Sequence, residues 1–232
     1  MQRVLVTGAN RGLGLAFVHQ LLARGARVIA ACRQPGRALK LTGLAAAHPG
    51  HLSVLPLDLN KERSIAGLAH EVGMLTDKLD VLINNAGTLV SGERYGELGA
   101  KTFSETFATN VIGPLLVTQA LTPLLAHGEA ARIVNLSSDL GSQADTVAFN
   151  TPSYAISKAA LNMVTRLTAA ELGARGITVI SLNPGWVRTD MGGAHAPLTV
   201  NESVGAMLEV IDGLKPGDSG RFLDYTGADV AW

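Results

Sequence analysis

Short aliphatic runs recur along the chain at Val4–Val6, Val28–Ala31, Leu52–Leu55, Val81–Asn84, Ile133–Leu136 and Thr178–Leu182, with stretches of helical apolar spacing between them. Runs that are apolar throughout, rather than alternating, predict parallel strands covered on both faces. A seventh strand is expected at Arg221–Asp224. This alternation of strand and helix predicts an α/β fold, a doubly wound parallel sheet of about seven strands. No repeat, low-complexity tract or long Pro/Gly/Ser linker divides the 232 residues, so one domain is expected. Two segments lack a clear pattern, Ser91–Gly99 and Arg188–Thr199. The second follows a strand end at Asn183, where such sheets place their ligands, so residues 186–200 are expected to form a substrate loop.

Composition narrows the ligand class. Hydrophobic residues make up 47% of the chain and charged residues 16%, enough apolar material for a large core. Lys+Arg and Asp+Glu number 19 each, so nothing in the net charge drives binding to nucleic acid or anionic lipid. A small-molecule partner is expected instead. Cys32 is the sole cysteine, which excludes an internal disulfide and fits a reducing compartment. The first strand begins by Val4, leaving no room for a secretion signal, and no uncharged apolar run approaches membrane-spanning length. A cytoplasmic protein without a membrane partner is the expectation.

Thr7-Gly8-Ala9-Asn10-Arg11-Gly12-Leu13-Gly14 joins the first strand to the first helix. Glycines at 8, 12 and 14 would let the backbone approach a pyrophosphate, and free amides at the helix start would receive the anion. The spacing departs from the commoner Gly-x-Gly-x-x-Gly, and a plain glycine turn is the alternative. Strand two ends in Ala30-Ala31-Cys32-Arg33, with no acid where a dinucleotide fold places one for the adenosine ribose. Arg33 and Arg11 would suit a ribose 2'-phosphate, which predicts NADP(H) rather than NAD(H) as cofactor. Solvated surface arginines are the alternative.

Tyr154 and Lys158 stand four residues apart in Tyr-Ala-Ile-Ser-Lys, on one face of a helix. A free tyrosine holds its proton until about pH 10, too high for ready exchange near neutrality. The lysine, with the positive charge of an oxidised nicotinamide, is expected to lower that value, making Tyr154 the general acid of a reduction. Ser138 lies upstream at a strand end, and Ser137 is the alternative hydroxyl.

Together these segments resemble the short-chain dehydrogenases/reductases over essentially the whole chain. The resemblance rests on Thr7–Gly14, Asp58-Leu59, Asn84-Asn85-Ala86-Gly87, Asn110, Ser137-Ser138, Tyr154-x-x-x-Lys158 and Asn183-Pro184-Gly185 through Thr189. Within the family, Asn183–Gly193 and Gly220-Arg221-Phe222 look like the branch of C-factor and sniffer-like carbonyl reductases. The resemblance implies a Rossmann-type fold and an NADP-dependent oxidoreductase that reduces a ketone, aldehyde or quinone. It implies that Lys158 also holds the nicotinamide ribose, Ser138 bonds the substrate oxygen, and Asn110 supports a proton relay to Lys158. It implies cofactor contacts at Gly8, Asn10, Arg11, Gly12, Leu13, Gly14, Asp58, Leu59, Asn85, Ala86, Gly87, Pro184, Gly185, Val187 and Thr189, beside Arg33, Tyr154 and Lys158. The interval from Ser138 to Tyr154 is longer than is usual in the family, so Gly141–Pro152 is expected to bulge. A dinucleotide-binding signalling protein of C-factor type is the other reading.

Around this expected site Leu89, Val90, Phe149, Trp186 and Met191 suggest a carbonyl substrate with a hydrophobic body, contacted by Phe149, Trp186 and Met191 beside Ser138 and Tyr154. Ala159, Ala160, Ala169 and Ala170 would give the Tyr154 helix a small apolar outer face, and a homodimer or homotetramer is expected. Two other motifs carry little. Gly217-Asp218-Ser219-Gly220 lacks a protease scaffold, and His48 and His51 have no supporting cluster, so no metal site is expected.

Overall fold

Alternate residues of each apolar run face opposite sides of one sheet, and each side builds its own core. In the computed structural model, which describes residues 1–232, Val4 and Val6 of strand β1 (Arg3–Thr7) enter one cluster while Leu5 enters the other. The first cluster is closed by helices α1 (Gly12–Ala23), α2 (Leu39–Ala47) and α7 (Val200–Gly213), through Phe17, Leu41 and Met207 among others. The second is closed by α3 (Glu62–Leu75), α5 (Gly113–Leu125) and α6 (Pro152–Leu172), through Leu68, Leu121 and Leu172. Each fully buried aliphatic side chain contributes about 1.5–3 kcal/mol relative to exposure. This two-sided burial explains why the strands read as continuous apolar runs.

Strands β2 (Arg27–Cys32), β3 (Leu52–Pro56), β4 (Val81–Asn84), β5 (Arg132–Leu136), β6 (Thr178–Asn183) and β7 (Phe222–Asp224) complete a seven-stranded sheet of order β3-β2-β1-β4-β5-β6-β7. All six pairings are parallel, as expected, and the seventh strand lies where the sequence placed it. The fold is a single Rossmann-type α/β domain. The order reverses between β1 and β4, so the loops after these strands flank the crevice where such sheets bind ligands.

One expectation is corrected. Residues Ala100–Leu125 form one continuous helical stretch of 26 residues whose most apolar window has a mean hydropathy of 1.3, long and apolar enough to cross a membrane by length and composition. It is made of α4 (Ala100–Phe107), a π-helical turn at Ala108–Ile112 and α5. Half of that window is buried inside the domain, where Val117, Leu121 and Leu125 pack with α3 residues Ile65, Leu68 and Val72. In the fold, Gly113-Pro114 follows the π-helical turn, a local change of winding of the kind that accommodates a proline within a helix, and the helix runs on.

Candidate active site

The glycine loop is built by close packing and leaves a bare helix end. A methyl group on Gly14 would stand 2.3 Å from the Gly8 carbonyl oxygen and 2.5 Å from Asn85 Nδ2, so no larger residue fits there. Arg11 precedes α1 without any side-chain cap. By contrast α7 is closed by a capping box, with Thr199 Oγ1 accepting from Glu202 N at 3.2 Å and Glu202 Oε2 accepting from Thr199 N at 2.9 Å. The amides at the start of α1 are thus available to an anion, with the positive end of the helix dipole behind them. These residues fit a dinucleotide pyrophosphate.

The turn after β4 is fastened to this loop. Asn85 Nδ2 donates to Thr7 O at 2.7 Å and Gly8 O at 3.2 Å, and the Thr7 hydroxyl accepts from Asn85 N and Ala86 N, each at 3.1 Å. Two residues on, a methyl group on Gly87 would lie 3.5 Å from Asn110 Oδ1 and 3.8 Å from Lys158 Nζ. The glycine loop, the β4 turn, Asn110 and Lys158 therefore form one continuous wall.

Tyr154 and Lys158 share a face of α6, as their spacing requires, and both are almost wholly buried. Lys158 Nζ lies 5.5 Å from the Tyr154 ring centroid and donates to Leu136 O at 2.6 Å. Asn110 sits in the π-helical turn, where its side chain grips the chain after β4: Thr88 N donates to its Oδ1 and its Nδ2 donates to Thr88 O, both at 2.8 Å. The same Nδ2 donates to Ser157 Oγ at 3.0 Å, and Ser157 Oγ donates to Tyr154 O at 2.7 Å. Asn110 is thus joined to α6 through Ser157 and makes no hydrogen bond to Lys158 itself.

The two serines have different partners. Ser137 is buried and donates its hydroxyl to Asn162 Oδ1 at 2.7 Å, whereas Ser138 lies near enough to Tyr154 for its hydroxyl to pull the phenol's pKa down. Ser138 also donates to Asp139 Oδ1 at 2.9 Å and accepts from Leu140 N at 3.2 Å.

The expected lowering of the tyrosine pKa is not what the protein's own groups produce. Burial pushes Tyr154 up to about 12, with the neighbouring Ser138 hydroxyl pulling it down and the Asp139 charge pushing it further up. Burial also pulls Lys158 down to about 8, because a desolvated ammonium favours its neutral form. The sequence put the cation beside the phenol and left out the cost of burying both.

The arginines separate. Arg33 is exposed at the end of β2, near Asp58; the carboxyl of Asp58 is held low chiefly by its hydrogen bond from Lys61, with Arg33 adding a smaller contribution. Arg11 instead pairs with Asp190 at 2.5 Å, a contact exposed on both sides that ties the glycine loop to the loop after β6. Asp58 accepts from Asn60 N at 3.2 Å in an Asx turn leading into α3. Leu59, expected at the cofactor, has its side chain in the core beneath Gly113. Leu13 is partly buried against the first core cluster, and Asn10 is exposed. Beyond β6, Pro184 O accepts from Ser203 Oγ at 2.7 Å and Val187 is buried. Thr189 reaches the glycine loop, its Cγ2 lying 3.7 Å from where a Gly12 methyl group would be.

Phe149, Trp186 and Met191 are 53%, 58% and 43% exposed on the loops around the site. Trp186 Nε1 donates to Gly192 O at 2.7 Å, and the 186–200 loop is pinned at its ends by a bridge between Val187 and Leu198. Sequence reasoning missed two residues of the patternless Ser91–Gly99 segment. Tyr95 packs edge-on against Phe149, centroids 5.5 Å apart, and Glu93 Oε2 accepts from Ser153 N at 3.1 Å and Ser153 Oγ at 2.8 Å. Glu93 thereby caps α6, whose own N-cap residue, Thr151, makes no cap bond and holds a left-handed φ of 40°. No signal in the sequence marked either contact, since a loop residue sixty positions away carries no periodicity. Ser219 Oγ accepts from Val179 N at 3.1 Å, so its hydroxyl serves a backbone contact. No three His, Cys, Asp or Glu side chains converge as a metal site.

Comparison with known proteins agrees with this geometry. The short chain dehydrogenase family profile matches residues 2–197. The C-signal of Myxococcus xanthus is 43% identical over 164 residues, covering 71% of this chain and 99% of that protein. The NADPH-bound carbonyl reductase from chicken fatty liver has a TM-score of 0.94 at 42% identity, covering 100% of this chain and 99% of the other. Carbonyl reductase Sniffer of D. melanogaster has a TM-score of 0.96 at 34% identity, with both chains fully covered. With its crevice at the strand reversal, its bare helix end and its buried Tyr-Lys pair, this chain belongs to the short-chain dehydrogenase family of oxidoreductases.

Proposed function

We propose that the chain is an NADPH-dependent carbonyl reductase acting on ketones, aldehydes or quinones. The observation that carries this is the continuous wall from the glycine loop through Asn85 and Gly87 to Lys158, which sets Tyr154 and Ser138 beside the dinucleotide crevice. The NADPH-bound state of the similar chicken reductase supports the cofactor assignment. The α1 amides would hold the pyrophosphate, Arg33 the 2'-phosphate, Lys158 the nicotinamide ribose, and the 84–87 turn with Pro184–Thr189 would flank the nicotinamide half. When bound, NADPH supplies the hydride that adds to the carbonyl carbon. Tyr154 gives its proton to the carbonyl oxygen, so that carbonyl becomes alcohol. Ser138 donates a hydrogen bond to that oxygen as negative charge builds on it. Lys158, kept as a cation, stabilises the phenolate left behind, and the positive charge of the oxidised ring adds to that effect. Asn110, bonded to Thr88 and Ser157, holds the π turn against α6 and so positions Lys158 and Tyr154.

Purified protein is expected to consume NADPH, followed by absorbance, with a panel of carbonyl compounds. Tyr154→Phe should lower kcat by at least about 100-fold while nucleotide binding persists, since general acid catalysis is worth about 100- to 10,000-fold. Turnover undiminished in Tyr154→Phe would overturn the assignment. The 43% identity to C-signal favours a second reading, a nucleotide-binding signalling protein, under which Tyr154→Phe would leave the cellular role intact.

A homo-oligomer is part of the same proposal, through the outer face of α6 with one of the four expected alanines withdrawn from it. Ala169 lies in the core, and the outer stripe of α6 is Ile156, Met163 and Leu167, each about half exposed or more, next to Leu115 of α5. Pairing this stripe with a second copy would remove it from water. Sedimentation equilibrium giving a single 24.1 kDa species would rule this out.

A further inference from the structure

A carboxylate hydrogen-bonds to the hydroxyl assigned to the substrate oxygen. Asp139 follows Ser138, is exposed to solvent, and takes the Ser138 hydroxyl proton at 2.9 Å and the Leu140 amide at 3.0 Å. Its charge reaches the Tyr154 phenol, which it pushes up. The mechanism above gives it no task, and a negative charge there opposes the charge that builds on a substrate oxygen. Its surroundings reinforce it. The segment Ser138–Ser153 holds Asp139 and Asp145 and no Lys or Arg, and across from it Glu93 of the 91–99 loop is bound to Ser153. Asp145 is held by Ser142, whose hydroxyl donates to Asp145 Oδ2 at 3.1 Å, so this wall of the mouth keeps its acids in place.

We infer that Asp139 is a specificity-determining residue that makes the site select carbonyl compounds carrying a cationic or hydrogen-bond-donating group near the carbonyl, and reject those carrying a carboxylate there. The inference rests on the reductase reading and names its substrate class. A cation or donor on the substrate takes the place of the Ser138 hydroxyl as partner of the carboxylate, which frees that hydroxyl to turn to the carbonyl oxygen. A substrate carboxylate instead meets like charge at the rim, and Ser138 stays engaged with Asp139. Apolar contacts at Phe149 and Trp186 hold either substrate body equally, so discrimination falls to the charge.

The test compares three benzaldehydes that differ in one ring substituent, trimethylammonium, methyl or carboxylate, with wild type and Asp139→Asn. The asparagine keeps an acceptor for Ser138 and Leu140 and removes only the charge. Wild type is expected to show the order cationic, neutral, anionic in kcat/KM. Unit charges several ångströms apart at a solvent-lined rim change that ratio by about three- to tenfold per step. In Asp139→Asn the carboxylate-to-methyl ratio should rise, and the ammonium-to-methyl ratio fall, by about that factor, and 0.5 M salt should shrink the wild-type spread. Ratios equal in the two proteins, with the methyl compound turned over, would overturn the role of Asp139 and leave the reductase reading standing. No turnover of any of the three by wild type would overturn both.

Discussion

Replacing Lys158 by Met should stabilise the folded protein while removing its chemistry. Burial lowers the Lys158 pKa from 10.5 to about 8, and at about 1.4 kcal/mol per pH unit this corresponds to a charge-burial cost of about 3 kcal/mol at neutral pH. Methionine has a similar apolar stem and no charge, but it loses the hydrogen bond to Leu136 O, worth about 1 kcal/mol. The net gain is about 2 kcal/mol, or about 4–8 °C in Tm for a domain of this size. The pH dependence identifies the cause. An unfolded lysine keeps its proton up to about 10.5 and the folded one only up to about 8, so between these values the unfolded state holds more protons. Wild-type stability contributed by this group therefore rises with pH across that window, and below pH 8 the full cost is present. Urea unfolding without nucleotide, at pH 7 and at pH 10, should show Lys158→Met ahead at pH 7 and the gap mostly closed at pH 10. A variant less stable than wild type at pH 7, or a gap that does not change with pH, would refute the reasoning. Retaining a costly buried cation is what a group kept for chemistry, against stability, looks like.

The two arginines give further tests. Arg33→Asp should move cofactor preference toward NAD(H), by about tenfold or more in the ratio of the two KM values, because the forked donor for the 2'-phosphate becomes an acceptor for ribose hydroxyls; unchanged relative affinity would count against its role. Asp190→Ala releases Arg11 from its exposed ion pair, and such pairs are worth about 0–1 kcal/mol, so NADPH is expected to bind up to about fivefold tighter by fluorescence titration, with NADH affected less. Weaker NADPH binding would show instead that the Arg11–Asp190 contact helps to hold the nucleotide.

Much of this architecture is written into local order along the chain. Strand positions follow from runs such as Val4–Val6 and Thr178–Leu182, which have to be buried on both faces, and β7 appears at Phe222–Asp224 inside the expected Arg221–Asp224. The pairing of Tyr154 with Lys158 follows from helical geometry alone, and Gly14 from a backbone approach that tolerates no side chain.

What the tertiary structure decided is which polar groups meet, and in what dielectric. Both serines turn to α6, where Asn162 takes the Ser137 hydroxyl and Ser138 is left nearer Tyr154. Glu93 caps a helix sixty residues away, and Arg11 finds Asp190 across the mouth, contacts with no periodicity to announce them. Ala169 turns inward and Ile156, Met163 and Leu167 outward because α6 is oriented by its neighbours as well as by its own pattern. The pKa values belong to the same class: the sequence names the charges, while desolvation, the largest influence on both Tyr154 and Lys158, exists only once α6 is packed against the sheet.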